Sequence, residues 1–245
     1  MSHHLVEVKK LFFSYDKDSQ VLEDISFRII HGESVAILGE NGSGKSTLLY
    51  HLNGCLRSKE GQIKIGDYTL DTKTIPLIRK TIGMIFQDSD DQLFMPNVYD
   101  DVAFGPLNMG LGEEDVKNLV NKALQETGIT HLAERRPYKL SGGEKKKVAI
   151  ATVLAMSPDI LVLDEPSSNL DPKSRLELIG LLGKFKHTKI MATHDLDLAL
   201  DLCPRSLVLH QGKITYDGST LELFKNDSFL KENHLTKPLR MQKFF

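Results

Sequence analysis

One stretch of nine residues constrains the fold of this chain more than any other. Residues 39–47 read GENGSGKST; they follow an apolar run, residues 34–38, and precede a leucine-bearing segment, residues 48–52. A G-x-x-x-x-G-K-[ST] loop between a strand and a helix forms a cradle for phosphate groups. Its glycines let backbone N–H groups converge on an anion, and the helix N-terminus adds unpaired donors and a positive dipole end. The stretch therefore predicts a nucleotide-binding α/β protein.

Two side chains of this loop have specific tasks. Lys45 can reach the outer phosphates, and the Ser46 hydroxyl can hold Mg²⁺. With glycine at about 7% of residues, the bare pattern should arise by chance in roughly one chain of this length per hundred. The flanking strand and helix reduce that chance further. The predicted ATP-binding residues of the loop are Gly39, Asn41, Gly42, Ser43, Gly44, Lys45, Ser46 and Thr47.

Composition narrows the class of protein. The 245 residues carry a formal net charge of -2, which gives no global sign of nucleic-acid binding, although local basic patches stay open. Cys55 and Cys203 match no metal or redox spacing and are expected to be reduced thiols of a cytoplasmic protein. Residues 1–10 are polar and predict no signal peptide, and His3 and His4 fit a frayed terminus better than a metal-binding tip.

No stretch predicts a membrane span. The longest helical apolar run, residues 148–156, is far shorter than the ~20 residues that a transmembrane helix needs. We therefore expect a soluble chain whose membrane role, if it has one, comes through a partner.

The pattern along the chain predicts alternating strands and helices. Strands are expected at residues 5–13, 21–30, 34–38, 61–67, 81–86, 160–163, 189–193, 206–210 and 213–216, and helices at 97–104, 113–127, 145–156 and 171–185. A polar turn at residues 16–19 joins the first two strands, and Gly105-Pro106 punctuates the helical region. The prediction is one α/β domain over residues 1–245 of the P-loop NTPase class. It has a parallel central sheet, an N-terminal antiparallel β-subdomain, an inserted helical subdomain at about 88–157 and a short tail at about 219–245.

Two acids follow a buried strand. Asp164 and Glu165 come directly after the apolar residues 160–163, at the edge where open α/β sheets bind ligands. P-loop enzymes place an acid there to hold Mg²⁺, which fits Asp164. Glu165 is placed to polarise the water that attacks the γ-phosphate. Alone, the two acids could equally be a solvated acidic pair at the end of a strand. Together with the phosphate cradle, the nucleotide-site interpretation is favoured over that one.

A second glycine motif lies about a hundred residues beyond the first. Residues 140–144 read LSGGE, in which Ser141, Gly142 and Gly143 open a helix suited to an anion and Glu144 favours the helix dipole. Alone, this is an ordinary helix start. A single cradle should already surround its own phosphates, so one explanation is that the second motif serves a nucleotide held by another copy of the chain.

These motifs occur in the order found in ATP-binding cassette (ABC) ATPases, which the chain resembles over about residues 5–220. The conjunction is highly specific, and it rests on residues 39–47, Gln87, 140–144, 160–165, 168–171 and His194. The resemblance implies an ATPase that closes as a dimer around ATP and opens on hydrolysis.

The resemblance also implies roles for the catalytic residues. Lys45 and Ser46 would contact phosphates and Mg²⁺, with Asp164 supporting the metal. Glu165 would be the catalytic base. His194 would contact the γ-phosphate and position the water. Without the resemblance, His194 would be interpreted as a hydrogen-bonded polar residue at the end of a strand.

Further roles follow from the same resemblance. Gln87 would contribute to the ATP and Mg²⁺ site and join it to the membrane-facing helices. Asp171 would lie at the dimer seam. Tyr15 would stack on adenine, although alone it is better interpreted as a core or strand-end aromatic. The residues that would close over ATP bound to the opposite subunit are Ser141, Gly142 and Gly143.

Two stretches, residues 87–94 and 100–106, narrow the choice among cassettes. They resemble the ATPases of energy-coupling factor importers, which take up vitamins or transition metals with a membrane scaffold and a substrate-binding membrane protein. Ser89 departs from the usual proline, and residues 144–147 (EKKK) depart from the common glutamine-led continuation. The short tail favours the cobalt or nickel type. The acids Asp88, Asp90 and Asp91 fit either a docking edge for basic coupling helices or a solvated loop.

The leading hypothesis is thus an Mg-ATP hydrolase at the cytoplasmic face of the cell membrane. It would pair with a second copy of itself or a related ATPase and act on transmembrane subunits rather than on nucleic acid. A soluble cassette acting on nucleic acid or ribosomes is a second class, disfavoured because such proteins usually join two cassettes or insert long coiled coils. A small-molecule P-loop kinase is a third, and the 140–144 motif argues against it.

Overall fold

The computed structural model describes residues 6–16 and 19–242. The centre of the predicted turn at residues 17–18 and the terminal His3 and His4 lie outside them. The strands are β1 (Val6–Ser14), β2 (Gln20–Ile29), β3 (Ser34–Leu38), β4 (Glu60–Ile65), β5 (Tyr68–Thr69), β6 (Ile82–Ile85), β7 (Ile160–Asp164), β8 (Thr188–Ala192), β9 (Arg205–His210) and β10 (Lys213–Ser219).

The helices connect these strands and extend beyond them. They are α1 (Lys45–Leu52), α2 (Ile75–Thr81), α3 (Val98–Asn108), α4 (Glu113–Glu126), α5 (Gly142–Leu154), α6 (Pro172–Lys184), α7 (Leu196–Leu202), α8 (Thr220–Lys225) and α9 (Asp227–Glu232). Short 3-10 turns occur at Ser89–Asp91, Thr130–Leu132, Pro137–Lys139 and Leu239–Met241. Among the residues described, no helix is long and apolar enough to cross a lipid bilayer.

Two sheets form the framework. The larger has the strand order β10-β9-β3-β8-β7-β6, in which β10 alone pairs antiparallel with its neighbour. The smaller is antiparallel, with the order β2-β1-β4-β5. The predicted fold class, a parallel central sheet with an N-terminal antiparallel part, is confirmed.

The core divides along the faces of the larger sheet because side chains alternate along each strand. Ile160 and Val162 of β7 join one apolar cluster, in which α1 and the smaller sheet cover that face. Leu161 and Leu163 join the cluster of the opposite face, where α6 and α7 pack. A third cluster lies among α3, α4 and α5, between β6 and β7 in the chain. The parallel strands are thus buried on both faces, as their unbroken apolar sequences require.

One predicted boundary in the helical region was wrong. Helix α3 runs through Gly105-Pro106 to Asn108 rather than stopping before them. Pro106 is buried, and a Cβ at Gly105 would lie 2.6 Å from Met156, so close packing against the end of α5 outweighs the lost backbone hydrogen bond. Helix α5 begins at Gly142, directly after its cap Ser141, as the 140–144 motif predicts, whereas the helical spacing alone placed its start at Lys145. Helices α2 and α7 were not predicted, since seven residues give too little periodicity to recognise.

Candidate nucleotide site

The candidate site lies where the carboxyl ends of β3, β8 and β7 meet at one edge of the parallel sheet. An open cavity of about 500 Å³ lies there. Ten of the predicted site residues line it together with Val21; they are Tyr15, Asn41, Gly42, Gly44, Lys45, Ser46, Thr47, Gln87, Glu165 and His194.

The loop between β3 and α1 is shaped by close packing at its glycines. A Cβ at Gly39 would lie 2.2 Å from the Leu209 carbonyl oxygen, so only glycine fits there. Gly44 caps α1 with φ 103°, a left-handed conformation that glycine adopts without strain. No acidic side chain occupies the first turn of α1, so its N-terminal N–H groups face the cavity uncompensated. These conditions suit a phosphate anion.

Lys45 lies inside the curl of the loop. Its Nζ donates to the backbone carbonyls of Gly39 and Glu40, at 2.9 Å each, and lies 4.0 Å from Glu165 Oε1. Burial lowers the pKa of Lys45, while the neighbouring carboxylates act to raise it. The ammonium is therefore held at the floor of the cavity, within reach of an anion lying above the loop.

Ser46 and Asp164 form a pair of oxygen ligands. Ser46 Oγ donates to Asp164 Oδ1 at 2.9 Å, whereas Asp164 Oδ2 is buried and has no hydrogen-bond partner. Burial raises the pKa of Asp164, and the adjacent Glu165 adds to this. Burial, with the charge of Asp164, also raises the pKa of Tyr50 to about 12. A hydroxyl beside an orphaned carboxylate oxygen fits Mg²⁺, which takes hard oxygen ligands.

Glu165 and His194 lie in contact with each other at the cavity. Glu165 is buried, has φ 43°, and donates its backbone N–H to the Ala192 carbonyl at 2.9 Å. His194 Nδ1 lies 2.8 Å from Glu165 Oε2, and the His194 backbone N–H donates to the same oxygen at 3.2 Å. A left-handed backbone at a glutamate is uncommon, and such strain clusters at functional sites. The His194 side chain is 62% exposed and the Glu165 side chain only 7%, so His194 lies on the solvent side of a buried carboxylate.

The sequence did not reveal an ion pair next to His194 in the chain. Arg175 of α6 donates Nε and Nη2 to the two carboxylate oxygens of Asp195, at 2.7 and 3.0 Å. Asp195 also caps α7 through Leu198 N–H and accepts from Ser167 Oγ. The signal in the sequence was an aspartate just before a helix, which indicates a cap but not its arginine partner.

Tyr15 lies at the rim of the cavity. Its hydroxyl is 3.1 Å from Thr47 Oγ1, and its ring meets the Phe13 ring edge-on, with centroids 4.9 Å apart. The residue is 57% exposed, so it is not a core aromatic and leaves a ring face open above the loop. That placement suits stacking on a planar base.

Gln87 lies between two cavities. It lines the nucleotide cavity and also a neighbouring one of about 400 Å³. The carbonyls of Phe86 and Gln87 both accept from Lys146 Nζ of α5, at 3.2 and 2.8 Å. Lys146 is buried, and burial lowers its pKa. Sequence inspection missed this residue because it stands between two other lysines.

The second glycine motif is built as a capped helix start. Ser141 Oγ accepts from Glu144 N–H, and Glu144 Oε2 accepts from Ser141 N–H at 2.8 Å, which closes a capping box. A Cβ at Gly143 would lie 2.3 Å from Ser174 Oγ, so α5 begins close against α6. Ser141, Gly142 and Gly143 are not among the described residues that line the nucleotide cavity. The structure therefore does not bring the two glycine motifs together within one chain.

A phosphate cradle opening on the same cavity as a buried carboxylate pair is the arrangement of a P-loop nucleoside triphosphatase. The family described as ABC transporter matches residues 22–168. A Geobacter sulfurreducens protein described as an ABC transporter ATP-binding protein is 55% identical over 242 residues, covering 99% of this chain and 97% of that protein. The chain belongs to the ABC transporter family, as an ATP-binding subunit whose ATPase activity is coupled to transport.

Two further similarities are more specific. The energy-coupling factor transporter ATP-binding protein EcfA of Methanocaldococcus jannaschii is 42% identical over 240 residues, covering 96% of this chain and 86% of that protein. The structure of cbiO1 from Clostridium perfringens, part of the ABC transporter complex cbiONQ, has a TM-score of 0.83 and 39% identity. That similarity covers 94% of each chain.

Proposed function

We propose that this chain is the ATP-hydrolysing subunit of an energy-coupling factor importer. It would act as a dimer on the cytoplasmic face of the membrane, bound to a transmembrane scaffold and a substrate-binding membrane subunit. The similarity to EcfA and to cbiO1 supports the importer type. We favour cobalt or nickel as the transported ion, with a vitamin as the alternative cargo of the same motor.

The observation that carries the dimer is the division of the site. The phosphate loop and the Glu165 carboxylate face one cavity, whereas Ser141 and its helix start lie outside it. A second copy supplying Ser141, Gly142 and Gly143 would complete the enclosure of the γ-phosphate. ATP would then favour the closed dimer, because it binds that state more tightly than the open one.

The chemistry follows from the groups that face the cavity. Lys45 and the α1 N-terminus would bind the phosphates, and Ser46 and Asp164 would hold Mg²⁺. When bound, Mg²⁺ supplies neutralisation of phosphate charge. Glu165 would accept the proton of the attacking water, and His194 would keep the carboxylate oriented while contacting the γ-phosphate. Gln87 would couple nucleotide binding to the neighbouring cavity, because it lines both cavities.

The membrane subunits would dock on an exposed apolar patch made of Phe94, Phe104 and Leu107. Phe94 is 63% exposed and meets the Phe104 ring edge-on, with centroids 4.9 Å apart. Leu107 is 52% exposed. The acidic residues Asp88, Asp90 and Asp91 precede Phe94 in the chain and are the other candidate docking surface. Asp90 already pairs with Lys145 at 2.6 Å, so we assign the contact with the membrane subunits to the apolar patch.

The experiment is co-purification of the tagged chain with the membrane proteins encoded beside it. Phe94→Ser should lose those proteins while keeping ATP binding, because it removes an apolar contact and leaves the cavity intact. Leu176→Ser is the matched control, since Leu176 is 67% exposed and lies on α6, which contributes no residue to this patch. Failure of the unaltered chain to co-purify would remove the basis of the proposal. Uptake of nickel, cobalt and vitamins by the reconstituted complex then identifies the cargo.

A further inference from the structure

A cluster of three metal-ligating side chains lies beside the phosphate loop, and the hydrolysis chemistry does not use it. Glu40, His210 and His234 each offer one ligand atom, and these atoms lie within 4.8 Å of one another. His234 Nδ1 is 3.1 Å from Glu40 Oε2, and His210 Nδ1 is 3.7 Å from Glu40 Oε1. We propose that these side chains bind a late first-row divalent cation of the Zn²⁺ class.

The distances suit one ion shared by three ligands. Zinc bonds of about 2.0–2.1 Å in a tetrahedral site place neighbouring ligand atoms roughly 3.4 Å apart. His234 Nδ1 lies 3.1 Å from Glu40 Oε2, close to that separation, and His210 Nδ1 lies 3.7 Å from the other carboxylate oxygen, Oε1. The rings of His210 and His234 are nearly perpendicular, at 85°, with centroids 5.0 Å apart. Because the His234 side chain is 60% exposed, a small rotation can close the remaining distance, and a water can take the fourth position.

The His210 nitrogen that faces the cluster, Nδ1, makes no hydrogen bond with the described residues. His210 ends β9, its side chain is 15% exposed, and the Nδ1 atom itself is buried. A buried polar atom without a partner is costly. Coordination would satisfy it.

His234 is presented by anchored neighbours rather than by a loose tail. Thr215 of β10 donates its hydroxyl to Asn233 Oδ1 at 2.6 Å, and Leu235 N–H donates to the Leu230 carbonyl at 2.8 Å. Between them, His234 adopts φ 54°, which turns its ring toward Glu40. The third ligand is equally fixed, since the Glu40 carbonyl accepts from Lys45 Nζ and from Ser43 N–H.

The donor set selects the class of ion. Two imidazole nitrogens with one carboxylate suit Zn²⁺, Co²⁺ or Ni²⁺, whereas Mg²⁺ and Ca²⁺ prefer oxygen ligands only. The cluster is therefore distinct from the candidate Mg²⁺ site at Ser46 and Asp164. An occupied site would tie the segment after α9 to the phosphate loop through Glu40.

The test is titration of the nucleotide-free full chain with Zn²⁺ alone, monitored by calorimetry. His3 and His4 are replaced by alanine in every sample, so that these two histidines do not contribute. We expect one ion per chain and at least about tenfold weaker binding in His234→Asn. Asparagine tolerates the left-handed backbone, which protects the fold. His131→Asn, at an exposed histidine of the helical region, should bind as the parent does.

Two further measurements keep the proposal falsifiable. His210→Gln should weaken binding as His234→Asn does, and excess Mg²⁺ should leave the Zn²⁺ stoichiometry unchanged. Parent-like affinity in both histidine variants would overturn the proposal and leave only an ion-pair contact between the tail and Glu40. Displacement of Zn²⁺ by Mg²⁺ would also overturn it, since the ion would then occupy the oxygen-ligand site.

Discussion

At the scale of single residues, the orientation of the Glu165 carboxylate is restricted by its backbone and its contacts. Its backbone is left-handed and its N–H donates to the Ala192 carbonyl. One carboxylate oxygen accepts from the His194 backbone N–H and lies 2.8 Å from His194 Nδ1. The carboxylate is therefore oriented before nucleotide arrives, and such preorganisation avoids reorganisation during the reaction. On its other side, Glu165 Oε1 lies 4.0 Å from Lys45 Nζ.

Replacing this carboxylate should separate binding from hydrolysis. Glu165→Gln keeps the size and hydrogen-bonding geometry but cannot accept the water proton at neutral pH. We expect phosphate release to fall by roughly 10²–10⁴-fold while ATP binding persists. Equilibrium dialysis with ATP and a phosphate-release assay measure the two quantities. Glu126→Gln, on the surface of α4, is the control; hydrolysis near the parental rate in Glu165→Gln would exclude Glu165 as the base.

Lys146 allows a second test at this scale. Lys146→Met keeps the length of the side chain but leaves the Phe86 and Gln87 carbonyls without their donor. We expect a loss of about 1–3 kcal/mol in the free energy of unfolding, measured in urea. Lys145→Met, which breaks only the pair with the exposed Asp90, should cost about 0–1 kcal/mol. Equal losses in the two variants would show that Lys146 has no special structural role.

How far single residues could be predicted from the sequence depended on their neighbours. Lys45, Ser46 and Glu165 stand in patterns whose spacing implies chemistry, and the structure gathers them at one cavity. Lys146 could not be distinguished from the lysines on either side, because only the packing of α5 against the end of β6 buries one of the three. No local pattern brings His234 to Glu40, since 194 residues separate them.

At the scale of elements, contacts between different elements set features of the fold that the sequence pattern does not show. The alternation of strands and long helices could be predicted, because each of these elements has a recognisable spacing of apolar residues in the sequence. The passage of α3 through Pro106 was not, since it depends on Met156 filling the space beside Gly105. The link between α6 and α7, formed by Arg175 and Asp195, was equally invisible because its partners come from different elements.

That link should make stability depend on pH. Burial alone would raise the pKa of Asp195, but the hydrogen bonds from Arg175 and Leu198 outweigh it and lower the pKa below its usual 3.8. A carboxylate with a depressed folded-state pKa contributes stability above its unfolded pKa and loses it as pH falls through the folded value. We expect Arg175→Gln to lower the free energy of unfolding by about 1–3 kcal/mol at pH 7.

The measurement compares urea unfolding of the two proteins from neutral pH to the acid limit of cooperative unfolding. The difference between them should shrink once the pH falls below about 4, where Asp195 becomes protonated during unfolding. Lys225→Gln, which breaks an exposed pair with Glu222, should give a small difference at every pH. A difference for Arg175→Gln that stays constant with pH would contradict a role for the Asp195 charge.

At the scale of the whole molecule, the two glycine motifs lie apart, as the proposed dimeric site requires. The cradle lies at the edge of the parallel sheet, and the Ser141 helix start lies beside α6 and outside that cavity. The sequence raised this possibility through the second glycine motif and through the resemblance to ABC ATPases. The separation of the two motifs follows from the order of the strands and the placement of the helices. Symmetric pairing of two copies would bring each cradle against the other copy's Ser141.

Symmetric pairing predicts complementation between two inactive chains. Lys45→Ala removes the phosphate ligand, and Ser141→Arg places a bulky cation on the opposite half, so neither variant alone should hydrolyse ATP. In a mixed dimer, the intact cradle of the Ser141→Arg chain meets the intact Ser141 of the Lys45→Ala chain. An equimolar mixture should therefore recover roughly a quarter of parental activity, because half the dimers are mixed and half their sites intact. Phosphate release measures the recovery, and each variant mixed with itself is the control. A mixture no more active than its components would mean that each chain completes its own site, and the shared-site mechanism would fail with it.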